Sequence, residues 1–348
     1  MPEEIDWRRN LPLPDLLYTP AWAGTWIFFT LSGYGIGAGF LDSRYDLTPG
    51  GILTFYKHRM KKILPVYLTW IITVSIFVFP ELMMPRIENA SEMLHVLCLF
   101  YQEEYLSEEF GLAWYLTTLV RLYLLSPLLF VIVKKLMSGG RRRLYAGFVG
   151  AVALWWLLRI LDGYRIYITG KGAWTVQIYK PFYFNIDFFM GGMIVYAISE
   201  CAPAYMQTKL SKNLSVVSLA ILIPLNCYIY YHGYYDNIRQ YMDIYCYIFP
   251  SLYLMIISWI LVAYHNSGFR SRAADAFRKI QYPCYLFHPA VLASLRRGYE
   301  TDPEPYDQIC AKMGVPLGYY DAVQGMMFTV EAFILTLVIA YAVSRKTT

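Results

Sequence analysis

Charge is what this 348-residue chain has least of: 16% of its residues are Asp, Glu, Lys or Arg, while 57% are hydrophobic. That balance excludes a soluble globule and a disordered chain, and a mean hydropathy of +0.37 points to a polytopic membrane protein. Cysteine is sparse as well. The six, at 98, 201, 227, 246, 284 and 310, have neither metal-ligand nor redox spacing, so no disulfide framework, zinc site or other metal is expected. No repeat of fixed period and no low-complexity linker divides the chain, which reads as one membrane-embedded domain over 1–348. The opening MPEEIDWRRNLPLPDLLYTP lacks an apolar core and cannot act as a signal peptide.

What is present is a series of apolar stretches of membrane length. They predict an all-α bundle of nine spans, at 22–41, 63–83, 112–133, 144–160, 182–199, 214–231, 244–264, 280–297 and 322–343. The segments after the odd-numbered spans alternate with the others in charge. Loops 42–62, 134–143, 200–213, 265–279 and the tail 344–348 hold 18 Lys and Arg, against 8 in the alternate set. The first set, with the C-terminus, is therefore expected in the cytoplasm. The formal net charge of +5 serves this orientation and does not indicate a nucleic-acid partner. The 33 Tyr and 9 Trp fit interfacial belts against membrane lipids together with packing. Nine spans with the C-terminus inside put residues 1–21 outside, which is met by a short tail that crosses behind a strongly apolar first helix or, more simply, by a further helix upstream of Met1.

The stretch FYKHRMKKILPVYLTW, residues 55–70, organises the rest. Lys57, His58, Arg59, Lys61 and Lys62 run into an apolar segment and form a place where an anionic group such as a phosphate could dock. Pro65 read as a first-turn proline puts the start of that helix near Leu64. The alternate glycines Gly33, Gly35, Gly37 and Gly39 follow no strand; their two overlapping GxxxG spacings suit close helix packing rather than nucleotide binding. Ionisable residues inside spans need a partner or a function. His288 is the one mid-membrane histidine, and the following Pro289 frees a backbone carbonyl that can orient its ring. Arg121 either binds an anion or pairs with a carboxylate, and Asp187 either contacts an acceptor or is structural. Trp114 and Tyr115 are belt residues or a platform for a sugar ring. No role is read for Arg159 or Glu331.

Four stretches together resemble the acyltransferase-3 family of bacterial integral membrane O-acyltransferases. IFFTLSGYGIG, residues 27–37, is similar to the family's Phe-Phe-x-x-Ser-Gly-Phe helix. FYKHRMKKILPVY matches Phe-x-x-x-Arg-x-x-Arg-Ile-x-Pro-x-Tyr with Arg59, Lys62 and Pro65 in register. AWYLTTLVRLYLLSPLL, residues 113–129, resembles the Trp-x-Leu…Tyr-Leu-x-x-Pro-Leu helix, and IQYPCYLFHPAVL, residues 280–292, the late Tyr-Leu-x-His-Pro segment. Two departures stand out. Thr117 to Leu122 hold no carboxylate where many members have Glu, and Lys62 replaces an Arg, losing planar bidentate recognition.

The resemblance implies ten spans with the N-terminus inside, the first carrying an Arg and a catalytic His. That is the helix the charge count finds missing. It further implies transfer of an acyl group, expected to be acetyl, from acyl-CoA to a hydroxyl of an envelope or exported carbohydrate or lipid-linked glycan, in the bacterial cytoplasmic membrane. Arg59, Lys61 and Lys62 would hold the acyl-CoA phosphates, and His288 is left as the acid/base candidate. Two competing classes are a transporter or flippase that uses Asp187, Arg121 and His288 as pathway residues, and a non-catalytic descendant.

Overall fold

The computed structural model describes residues 21–74, 90–99, 114–169, 180–201, 208–218, 220, 221, 224, 242–265, 272–302, 304–316, 318 and 320–347. These form α-helices, with no strand among the described residues. In chain order they are α1 (Ala21–Leu41), α2 (Pro49–Thr73), α3 (Ala90–Leu97), α4 (Trp114–Met137), α5 (Gly140–Thr169), α6 (Ile186–Glu200) after a 3₁₀ turn (Phe182–Asn185), α7 (Met242–His265), α8 (Arg272–Thr301), α9 (Glu304–Lys312) and α10 (Tyr320–Thr347). Among the described residues four helices are long and apolar enough to cross a membrane: Trp114–Met137, Gly140–Ile166, Phe182–Glu200 and Val323–Arg345. They coincide with the third, fourth, fifth and ninth expected spans. The first, seventh and eighth fall on α1, α7 and α8. The second is helical to Thr73, and its remainder and most of 214–231 lie outside the described residues.

One boundary differs from the sequence reading. Rather than starting near Leu64, α2 starts at Pro49, so the basic stretch is helical and Pro65 lies inside the helix on an exposed side. The stronger start signal is local. Thr48 Oγ1 accepts from Gly51 N at 3.1 Å, and Pro49 occupies the first helical position, where its missing N–H costs least. Asp46 Oδ1 accepts from both the hydroxyl and, at 2.9 Å, the N–H of Thr48, which holds its carboxyl below the usual range.

The helices divide into two compact units. In one, comprising α1, the start of α2, α4 from Thr118, and α5 to α7, α6 is central: 83% of its apolar window is buried, against 17% for α5. It packs most extensively on α1, and also on α5 and α7. Glycines make the closest crossing. A Cβ on Gly33 would sit 1.8 Å from the Phe189 carbonyl oxygen, and one on Gly192 2.1 Å from that of Thr30. Gly37 faces Met193 in the same seam, whereas Gly35 has nothing within 4 Å. Trp26 then stacks on Phe188 with 5.3 Å between ring centroids.

The other unit holds α2 from His58, α3, the start of α4, and α8 to α10. Here α8 packs on α10, and α9 docks on α10 through side chains. Tyr299 donates to Gln324 Oε1 at 2.7 Å, Gln324 Nε2 donates to Asp307 at 2.6 Å, and Tyr306 donates to Glu331 at 2.7 Å. Glu331 is exposed and has this partner, a role its sequence position did not suggest. On α2 the buried face is Ile63, Val66, Tyr67, Trp70 and Ile71, and Tyr67 donates to the Val96 carbonyl of α3 at 2.7 Å.

Two outcomes follow from these contacts. Gly33→Ala forces α1 and α6 apart and should cost about 1–3 kcal/mol, whereas Gly35→Ala should be neutral or stabilise by about 0.5–1 kcal/mol. Thermal melts of the detergent-solubilised chain compare the two, and equal melts would refute the crossing. Burial, then the Glu331 hydrogen bond, pushes the Tyr306 phenol from 10.0 up to about 12. The folded state thus favours the protonated phenol. Its contribution to α9 docking is complete below pH 10 and is lost as the pH rises through 12. An absorbance titration of tyrosinate should lose one of its late-titrating phenols in Tyr306→Phe and show one shifted earlier in Glu331→Gln.

Candidate functional site

Two prolines shape α8 around His288. Pro289 has no N–H for the carbonyl four residues back, that of Tyr285. The His288 ring uses that carbonyl: its Nδ1 lies 2.7 Å from Tyr285 O and 3.3 Å from Cys284 O. Both neighbours are acceptors, so Nδ1 carries the proton and Nε2 keeps the lone pair. Nε2 has no hydrogen-bond partner among the described residues, and the ring is half-buried. An aromatic run continues from it. Tyr285 lies 5.8 Å from His288, Tyr115 4.9 Å from Tyr285, and Trp114 6.5 Å from Tyr115, edge to face. Trp114 and Tyr115 are 3% and 5% exposed, so these rings are packed against their neighbours rather than set out as a bare platform.

The basic cluster is split by its helix. Arg59 is half-buried in line with Ile63, Val66 and Trp70, while Lys61 and Lys62 are exposed. At about 100° per residue Lys62 lies about 60° from Arg59 around the axis, and Lys61 about 160° away. Arg59 and Lys62 can therefore face one ligand, and Lys61 points elsewhere. Tyr282 of α8 donates to the Ile63 carbonyl at 3.2 Å, immediately beside this cluster. His288 is six residues farther along α8, about 9 Å of helix rise.

The other two intramembrane charges lie in the α6-centred unit. Arg121 sets its guanidinium 5.9 Å from the centroid of the Phe182 ring. Asp187 is fully buried and pairs with Arg159, which is 2% exposed, at 2.7 Å. Arg159 Nη2 also donates to the Phe184 carbonyl at 2.6 Å, and its Cζ lies 5.4 Å from the Phe188 ring centroid. Among the described residues, Asp187 Oδ2 and Arg159 Nη1 have no hydrogen-bond partner. This pair fixes the 3₁₀ turn at the start of α6, whose Tyr183 carbonyl also accepts from Trp155 Nε1 at 2.6 Å.

The sequence reading missed a second polar cluster in that unit. Tyr34 of α1 hydrogen-bonds His265 Nδ1, and His265 Nε2 lies 3.0 Å from Glu200 Oε1. Beside them Tyr196 donates to Asp42 Oδ1 at 2.8 Å, with its ring 5.1 Å from Tyr34 and 5.2 Å from His265. His265 and Glu200 are the last residues of α7 and α6, where a polar residue reads as a boundary and nothing more. Among the described residues no group of three or more His, Cys, Asp or Glu is arranged to hold a metal ion.

An all-α chain with several membrane-length apolar helices, and ionisable side chains within them held by partners on neighbouring helices, is a multi-pass membrane protein. It belongs to the acyltransferase-3 family: the family model described as an acyltransferase domain matches residues 23–345. At the level of the family it is a membrane acyltransferase. No curated protein and no solved structure matches the chain.

The Arg159–Asp187 pair should behave as a coupled unit. Asp187→Asn or Arg159→Met alone should destabilise by about 3–5 kcal/mol, because each strands a buried charge or donor, and Arg159→Met with Asp187→Leu should recover most of the loss. A double-mutant cycle on unfolding midpoints measures this; additive losses would show that the two are not coupled.

Proposed function

We propose that this chain transfers an acyl group, acetyl in the simplest case, from acyl-CoA to a hydroxyl of an envelope or exported carbohydrate, free or lipid-linked. The family match over 23–345 carries the reading. The excess of Lys and Arg in alternate loops supports a cytoplasmic C-terminus, and hence a cytosolic donor, in the bacterial cytoplasmic membrane that the family resemblance implies.

In this reading Arg59 and Lys62 hold the donor phosphates by charge-assisted hydrogen bonds. The half-buried Arg59 sets the position, the exposed Lys62 adds charge, and Lys61 contributes only to the surface field. His288 is the acid/base. Its Nε2 takes the proton of the acceptor hydroxyl as the oxygen attacks the thioester carbonyl. When the tetrahedral intermediate collapses, the C–S bond breaks and the imidazolium returns that proton to the departing thiolate. The Tyr285 carbonyl keeps Nδ1 protonated and stabilises the imidazolium while it lasts. Trp114 and Tyr115 shape the wall behind Tyr285. The transport reading loses one of its supports, because Asp187 is closed on Arg159.

Arg59→Ala with Lys62→Ala should weaken acetyl-CoA binding about 10- to 100-fold, measured on the full chain in nanodiscs, with Lys61→Ala within about twofold. His288→Gln should lower turnover about 100-fold or more at unchanged acetyl-CoA affinity. Unchanged binding in the double variant would refute the phosphate grip, and undiminished turnover in His288→Gln would refute the base.

A further inference from the structure

The Tyr34–His265–Glu200 cluster has no part in the chemistry assigned to His288, and its order is that of a nucleophile, a base and a group that orients the base. Three helices supply the members, so the arrangement is tertiary. Its ends differ: the Glu200 carboxylate is 53% exposed and reaches water, the His265 side chain is 12% exposed, and the phenol is half-buried. Each contact is consistent with a neutral ring, the Glu200 carboxylate accepting from Nε2–H and Nδ1 accepting from the phenol. A protonated ring is accommodated too, because the phenol oxygen can accept from Nδ1–H. A tie between helix ends needs only one donor and one acceptor. The neighbouring Tyr196–Asp42 hydrogen bond is such a tie, and it leaves the three-membered chain surplus to that purpose.

We propose that Tyr34 is an acyl-accepting nucleophile, with His265 its general base and Glu200 the positioning residue of that base. The proposal rests on the acyl-thioester donor of the preceding reading, and in the proposed orientation Glu200 and His265 lie at the cytoplasmic ends of their helices. The phenol needs no standing charge: His265 takes its proton as the oxygen attacks the thioester carbonyl. The C–S bond then breaks, and the thiolate leaves with the proton held on His265, giving an O-acyl Tyr34 ester and a free thiol.

The test uses the full chain in nanodiscs with p-nitrophenyl acetate, an activated ester that bypasses any CoA grip. The expected result is a stoichiometric burst of p-nitrophenolate and one added acetyl group on the peptide carrying Tyr34. Tyr34→Phe should abolish both at an unchanged melt, His265→Ala should slow the burst about 100-fold, and Tyr56→Phe should behave as the parent. No burst, acetylation of another residue instead, or a full burst from Tyr34→Phe would overturn the proposal. A parallel assay with acetyl-CoA separates the two readings. Acceptor acetylation with Tyr34 unlabelled in both assays leaves the donor reading standing without the nucleophile. Tyr34 labelled by the aryl ester but not by acetyl-CoA leaves the nucleophile standing and removes CoA as its donor.

Discussion

The α1–α6 crossing sets the geometry of the unit it belongs to. Backbone meets backbone there with no room for a methyl group at Gly33 or Gly192. In an apolar solvent helices gain little by hiding apolar surface from one another, so such close approach supplies dispersion contact that larger residues would forfeit. The consequences run along both helices. Trp26 reaches the Phe188 ring on one side of the seam, and toward the other end Tyr34 is brought against Tyr196 and His265.

Polar groups in the spans are governed by the same poverty of solvent. Hydroxyls at Thr30, Ser126, Ser199 and Ser258 return to the carbonyl four residues back, at Trp26, Leu122, Val195 and Leu254. Groups that cannot be satisfied locally recruit a neighbouring helix, as Arg159 does with Asp187 and Tyr282 with the Ile63 carbonyl. His288 is an intermediate case. It is satisfied within its own helix at one nitrogen, and the other has no hydrogen-bond partner among the described residues.

What could be read from the sequence was what depends on nearby residues. The His288–Pro289 neighbourhood and the packing of Gly33 and Gly37 are decided within one or two helical turns, and hydropathy alone located the long apolar helices. The start of α2 was misplaced because five basic or ionisable side chains resemble a span boundary, although Asp46, Thr48 and Pro49 form the stronger signal. The long-range pairs were out of reach. Tyr34 and His265 are 231 positions apart, and Arg159 and Asp187 are 28 apart on separate helices. Nothing in composition or periodicity assigns one intramembrane charge to another, and nothing distinguishes the half-buried Arg59 from the exposed Lys61 two residues later.

Pro289 gives two adjacent positions a shared history. An ordinary residue there would reclaim the Tyr285 carbonyl for the backbone, and the imidazole beside it would be free to exchange tautomers. A lineage under selection for the orientation of that ring must therefore keep both residues. A change at 289 alone would release the His288 ring without touching it, so the two positions act as a unit.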